Sequence, residues 1–224
     1  MGYVSVPTRY TLAEADRIAA SIVECLEPYC QRVCVAGSIR RRAETIGDVA
    51  LVVIAAGRQQ VVGLFEDLAL TPSVPPVDCL DEALSSLLEH GQVQKRRDQK
   101  GRTFWGSSDK RILWRYGAAS TDWIGLDVFG ATDPTWGVKL ALRTGPWQFA
   151  KRLVTYAGGG RDGVLPGQLE YKDGGLWRFD RGARRSFVPT PDEATFFREL
   201  GLPYLPPEYR FPSSFQTTRR GSGG

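Results

Sequence analysis

The chain has 224 residues, 42% hydrophobic and 24% charged, with a formal net charge of +4. This length and balance can bury a sizeable core and exclude a disordered or fibrous chain. The mild basic excess suits a polyanionic partner without requiring one. No apolar run approaches the roughly 18 residues needed to span a bilayer, and the N-terminus lacks a basic region followed by an apolar core. The expectation is a cytoplasmic monomer with no membrane partner. Cys25, Cys30, Cys34 and Cys79 lack paired spacing, and the sequence has one histidine, which favours reduced thiols over a zinc cluster.

In chain order, Thr11 and Glu14 form a capping box ahead of Ile18, Ile22, Cys25 and Leu26 at helical spacing, which predicts a helix over residues 12–27. Residues 31–36 alternate into a strand that Gly37-Ser38 breaks. Residues 48–55 are an apolar run of the kind a buried central strand shows. Helical periodicity over 60–70 and 80–90 flanks a proline-rich surface loop at 71–76. From 93 to 129 the pattern predicts an antiparallel meander. Asp133 as N-cap with Pro134 at the first helical position predicts a helix to about Leu142, and a second helix is expected over 146–156.

After Gly158 come short strands around Leu169 and Leu176, a basic turn, and a helix to Leu200 with Thr190 as its cap and Pro191 at its first position. The fold class is α+β: a first lobe over 1–131, a small second α+β lobe over 132–216, and a flexible tail over 217–224. His90, beside Gly91, reads as a helix C-terminal group with no catalytic role.

Asp48 heads one strand, and Asp127 interrupts an otherwise apolar one, where an acid demands a partner or an ion. Read singly, Asp127 also fits a strand-end acid bonded to backbone, and Asp48 a turn residue after Gly47. Together with Gly37, Ser38 and the arginines at 40–42 they suit phosphate chemistry. Glycine lets a phosphate approach the backbone, a serine hydroxyl donates to it, and arginine binds its oxygens bidentately. Two residues after Asp48, on the same strand face, stands Ala50.

The ordered set Gly37-Ser38-Ile39-Arg40-Arg41, Gly47-Asp48, Leu126-Asp127-Val128-Phe129, Thr144-Gly145 with Phe149, and Gly201-Leu202-Pro203-Tyr204-Leu205-Pro206-Pro207-Glu208 resembles the family X DNA polymerases, within the polymerase-beta-like nucleotidyltransferases. The resemblance implies a palm with a mixed or antiparallel sheet and flanking helices, followed by a nucleotide-binding lobe called the thumb. It implies Mg²⁺ or Mn²⁺ at a two-metal site held by Asp48 and Asp127, with Asp127 also activating the attacking 3′-hydroxyl. Ser38, Arg41, Gly47 and Arg9 are then expected around the triphosphate of an NTP or dNTP. Thr144, Gly145, Arg143 and Trp147 are expected near its sugar and base, with a cis bond between Gly145 and Pro146.

Ala50 takes the place of the family's second metal-binding acid, and alanine cannot coordinate a metal. The chain is therefore expected to be inactive or impaired, whether by deliberate substitution or natural degeneration. Leu142-Arg143 departs from the aromatic pair that family members place before Thr-Gly, so sugar preference stays open. No lyase or helix-hairpin-helix module precedes the first helix, so gap anchoring is expected to be weak.

Lys95, Arg96, Arg97, Lys100, Arg102 and Arg115, interleaved with Phe104, Trp105 and Trp114, fit phosphate contacts and base stacking on a DNA primer–template or another nucleic acid. A solvated hairpin with inward aromatics is the plainer reading. Arg178, Arg181, Arg184 and Arg185 form a second basic patch. Three functions stay open: nucleotide addition to a nucleic-acid 3′ end, nucleotidyl transfer to an RNA end, protein or small molecule, and a non-catalytic nucleotide- or DNA-binding module.

Overall fold

The computed structural model describes residues 9–58, 77–98, 100–119, 122–158, 162–179 and 185–215. The helix expected over 60–70, the loop at 71–76, Arg181, Arg184 and the tail at 217–224 lie outside the described residues. The elements run β1 (Tyr10–Thr11), α1 (Leu12–Leu26), β2 (Cys30–Val35), α2 (Gly37–Arg40), β3 (Thr45–Ile46), β4 (Asp48–Ala55), β5 (Gly57–Arg58), β6 (Val77–Asp78) and α3 (Cys79–Glu89). They continue with β7 (Val93–Lys95), β8 (Asp109–Arg115), β9 (Trp123–Gly130), α4 (Trp136–Thr144), α5 (Trp147–Leu153), β10 (Leu169–Lys172), β11 (Gly175–Phe179), β12 (Arg185–Val188) and α6 (Glu193–Glu199).

The architecture is α+β, organised by a five-stranded sheet of order β2-β4-β9-β8-β7. Its outer pairs are antiparallel, while β4 and β9 run parallel at the centre. Alternation divides the central strands between two environments. Val49, Leu51, Val53, Leu126 and Val128 join Ala15, Ile22 and Leu26 of α1 and Leu84 of α3 in the largest apolar cluster. Ala50, Val52, Ile54 and Phe129 face the other way, against Trp136 and Leu140 of α4. Each fully buried side chain of this size contributes about 1.5–3 kcal/mol.

A separate cluster gathers Phe149, Leu153, Leu169, Leu176, Phe196 and Phe197. The helix α4 serves both, since Trp136 and Leu140 touch the sheet while Val138 and Ala141 belong to the second cluster. A side chain on Gly137 would strike the Asp192 and Thr190 backbone, and the Gly137 amide donates to the Thr190 carbonyl at 2.6 Å. That close approach seats α4 on the cap of α6.

Several local expectations need correction. The first strand does end before Gly37-Ser38, but these residues open the short helix α2. Thr132, not Asp133, caps the turn that leads into α4. Asp192, not Thr190, caps α6 through the Thr195 amide, because the Thr190 hydroxyl is turned to the Val138 amide and the Pro134 carbonyl, both at 3.4 Å. The helix α5 stops at Leu153, well short of Tyr156. The Gly145–Pro146 bond is trans, like every peptide bond among the described residues; trans remains the lower-energy form for an X-Pro bond in an extended setting. By contrast, Thr11 and Glu14 make both bonds of the capping box on α1. His90 ends α3 with Nδ1 2.8 Å from the Ser86 carbonyl. None of the four cysteines forms a disulfide, and Cys25 is exposed. No described helix is long and apolar enough to cross a membrane.

Candidate nucleotide and acid site

The parallel pairing of β4 and β9 aligns Asp48 with Gly125 and Ala50 with Asp127. Residues 48, 50 and 127 therefore share one face, where the start of β4 runs beside the middle of β9. Asp48 is 44% exposed and Asp127 14%. Ala50 is 8% exposed, and its Cβ would lie 3.1 Å from a Cβ built on Gly37. Gly37 has φ +63°, so this turn needs glycine for conformation as well as for space. The Ala36 amide donates to the Ala50 carbonyl at 2.8 Å, which brings α2 against β4.

Asp127 forms a charge-assisted pair with Arg96 Nη2 and lies 3.8 Å from Arg111 Nε. Arg96 also reaches Asp48, Nη1 to Oδ2 at 3.5 Å. One guanidinium thus spans both carboxylates. Burial raises the Asp127 carboxyl above its ordinary range; Arg96 opposes this and Asp48 adds to it. Arg143 stacks on Phe129, 3.9 Å from the ring centre, and pairs with Asp109 at 3.3 Å.

Arg40, which ends α2, and Arg41, its C-cap, reach toward α4 and α6. Arg40 donates to Thr144 Oγ1 at 2.8 Å and forks onto Glu193, while Arg41 donates to the Thr144 carbonyl. Glu193 in turn holds Arg210 at 2.6 Å, whose side chain is fully buried beside the edge-to-face pair Phe197 and Tyr204, 5.3 and 5.8 Å from their ring centres. Burial pulls the Glu193 carboxyl up, but Arg40 and Arg210 outweigh it and hold it below its ordinary value. Burial and the nearby Arg210 charge lower the pKa of Arg41.

Of the residues expected around a phosphate, Gly37, Ser38 and Arg41 lie on one turn beside Ala50, with Thr144 in contact with Arg41. Thr144 itself is buried and its polar atoms are taken by Arg40 and Arg41. Gly47 is exposed just before Asp48. Arg9 donates to Thr45 Oγ1 at 3.3 Å, where β1 pairs with β3. Trp147 is 69% exposed at the start of α5, two residues past Gly145.

The expected nucleic-acid residues divide. Arg96 belongs to the acid pair. Lys95 lies over Trp105 at 5.1 Å, Arg102 pairs with Asp98 at 2.8 Å, and Arg97, Lys100 and Arg115 are exposed. Phe104 is exposed and Trp105 packs against the core. Glu193, Arg210 and Asp109 were missed. Glu193 reads as an ordinary first-turn helix acid, and only its burial marks it.

Two divalent ions need hard oxygen ligands from several carboxylates. Here position 50 offers a methyl group, and Asp48 and Asp127 already face Arg96 and Arg111. Among the described residues no group of three His, Cys, Asp or Glu converges. The residues as they stand do not fit a two-metal centre. No protein-family model and no curated protein matches this chain.

Proposed function

We propose that this chain is a nucleotidyltransferase of the family X polymerase type, silenced for transfer at position 50, with surfaces for a nucleoside triphosphate and a nucleic-acid end retained. On this reading the first lobe is the palm and the second the thumb. The observation that carries it is the register of β4 against β9: Asp48, Ala50 and Asp127 share one face beside the Gly37-Ser38 turn, with a methyl group opposite the more buried acid. Arg41 and Ser38 are the groups suited to phosphate oxygens. Trp147 supplies an exposed ring for a base. Asp127, less acidic than an ordinary carboxylate, is suited to take a proton from an attacking hydroxyl.

Primer extension by Ala50→Asp and Ala50→Glu, with Mg²⁺ or Mn²⁺ supplied, tests the reading. Nucleotide incorporation is expected in these variants and absent from the parent and from Ala50→Asp/Asp127→Asn. Folded variants that bind triphosphate yet never extend a primer overturn the transfer reading and leave the binding module. The guanidinium between Asp48 and Asp127 is the observation that favours that second reading.

A further inference from the structure

We propose that Arg96 is a tethered counter-cation of the Asp48–Asp127 pair, a positioning residue that holds the two carboxylates together and competes with divalent cations for them. The backbone is built to admit it. In register beside Asp48 the neighbouring strand carries Gly125, and a Cβ built there would collide with the Arg96 guanidinium. The Arg96 amide donates to the Arg111 carbonyl at 3.1 Å, which fixes the side chain's origin just past β7. From there Nη2 meets Asp127 and Nη1 meets Asp48 at 3.5 Å.

Charge makes the same point. Asp48 and Asp127 bring two negative charges, and Arg96 with Arg111, 3.8 Å from Asp127, brings two positive ones. A pair so compensated presents little field to an arriving dication, and the ion must first displace a guanidinium held by both acids. The alanine at 50 and the glycine at 125 act together: one withdraws a carboxylate, the other opens room for a fixed cation. Arg96 is therefore assigned to the acid pair and not to a nucleic-acid phosphate.

The inference rests on reading Asp48 and Asp127 as cation-binding acids, and its test reads cation binding instead of transfer. Free Mn²⁺ is followed by electron paramagnetic resonance during titration of the full chain, its Arg96→Gln and Arg96→Lys variants, and Arg96→Gln/Asp127→Asn. Arg96→Gln is expected to bind Mn²⁺ about tenfold more tightly or better, the scale on which groups beside metal ligands act. Arg96→Lys, which keeps the charge but loses the fork, should fall between Gln and the parent, and it carries the test if the Gln variant does not fold. The double variant should lose the gain.

Unchanged or weaker Mn²⁺ binding on removal of the guanidinium overturns the proposal, as does a gain that survives Asp127→Asn. An inactive Ala50→Asp leaves this result standing, and unchanged Mn²⁺ affinity leaves the transfer test standing.

Discussion

Gly37 and Gly47 flank the same turn and answer to different constraints. Gly37 is left-handed, and a side chain there would press on Ala50. Gly47 has open space around its Cα and no such backbone demand. Gly37→Ala is expected to cost about 1–2 kcal/mol, the penalty of a left-handed L-residue, whereas Gly47→Ala stays within about 0.5 kcal/mol. Urea unfolding of the two variants checks this. The contrast was half legible in the sequence, where both glycines read as phosphate-binding positions. What separates them is the distance to Ala50, which exists only once α2 has folded against β4. Asp48 and Asp127 were legible because an acid stands out at the head of, or within, an apolar strand; Arg96 was not, since one arginine in a basic run carries no mark of the acids it will meet.

At the scale of elements, the strip leading from β7 to β8 sorts its aromatics by burial. Phe104 is 51% exposed with Arg111 5.9 Å above its ring, while Trp105 packs on the core beneath Lys95 and Lys110. If this strip receives single-stranded nucleic acid, Phe104→Ala should weaken oligonucleotide binding by about 1–3 kcal/mol, the value of one stacked base, with the melting temperature unchanged. Trp105→Ala should instead lower stability, by up to about 3 kcal/mol. Fluorescence anisotropy and thermal melts on the same two variants separate the outcomes. Sequence reading found these strands because alternation is a local signal. Both corrected caps have two cap-competent residues close together: long-range bonds to Val138 and Pro134 occupy Thr190 and leave Asp192 to cap α6, whereas Thr132 is chosen over Asp133 by its local bonds with Thr135.

The whole molecule is tied through Glu193. This buried carboxylate joins Arg40 of α2 to Arg210 near the end of the described chain, and Arg40 also holds Thr144 at the end of α4. Glu193→Gln leaves a fully buried Arg210 uncompensated and is expected to cost about 3–5 kcal/mol by urea unfolding. The pH dependence follows from its depressed pKa. A carboxyl held below the ordinary 4.5 lends stability that is fully present above that pH and is lost as pH falls through its folded value. The parent should therefore lose stability below about pH 4.5 more steeply than Glu193→Gln does. An equal acid slope in both would remove Glu193 from this role. None of it was readable from the chain, where the three residues are far apart and individually ordinary.

The parallel contact of β4 with β9 sets an order of events during folding. Four strands and a helix of the described chain lie between them in sequence, so the ends of a large loop must close before Asp48 can face Asp127. Contacts of such low locality form slowly. Before that closure Asp127 can meet Arg111 and Arg96 within the local β7-β8-β9 meander, but Asp48 is not yet beside it. Whatever binds across them, a guanidinium or an ion, therefore grips a contact that arises late, and a ligand there acts as a brake on unfolding.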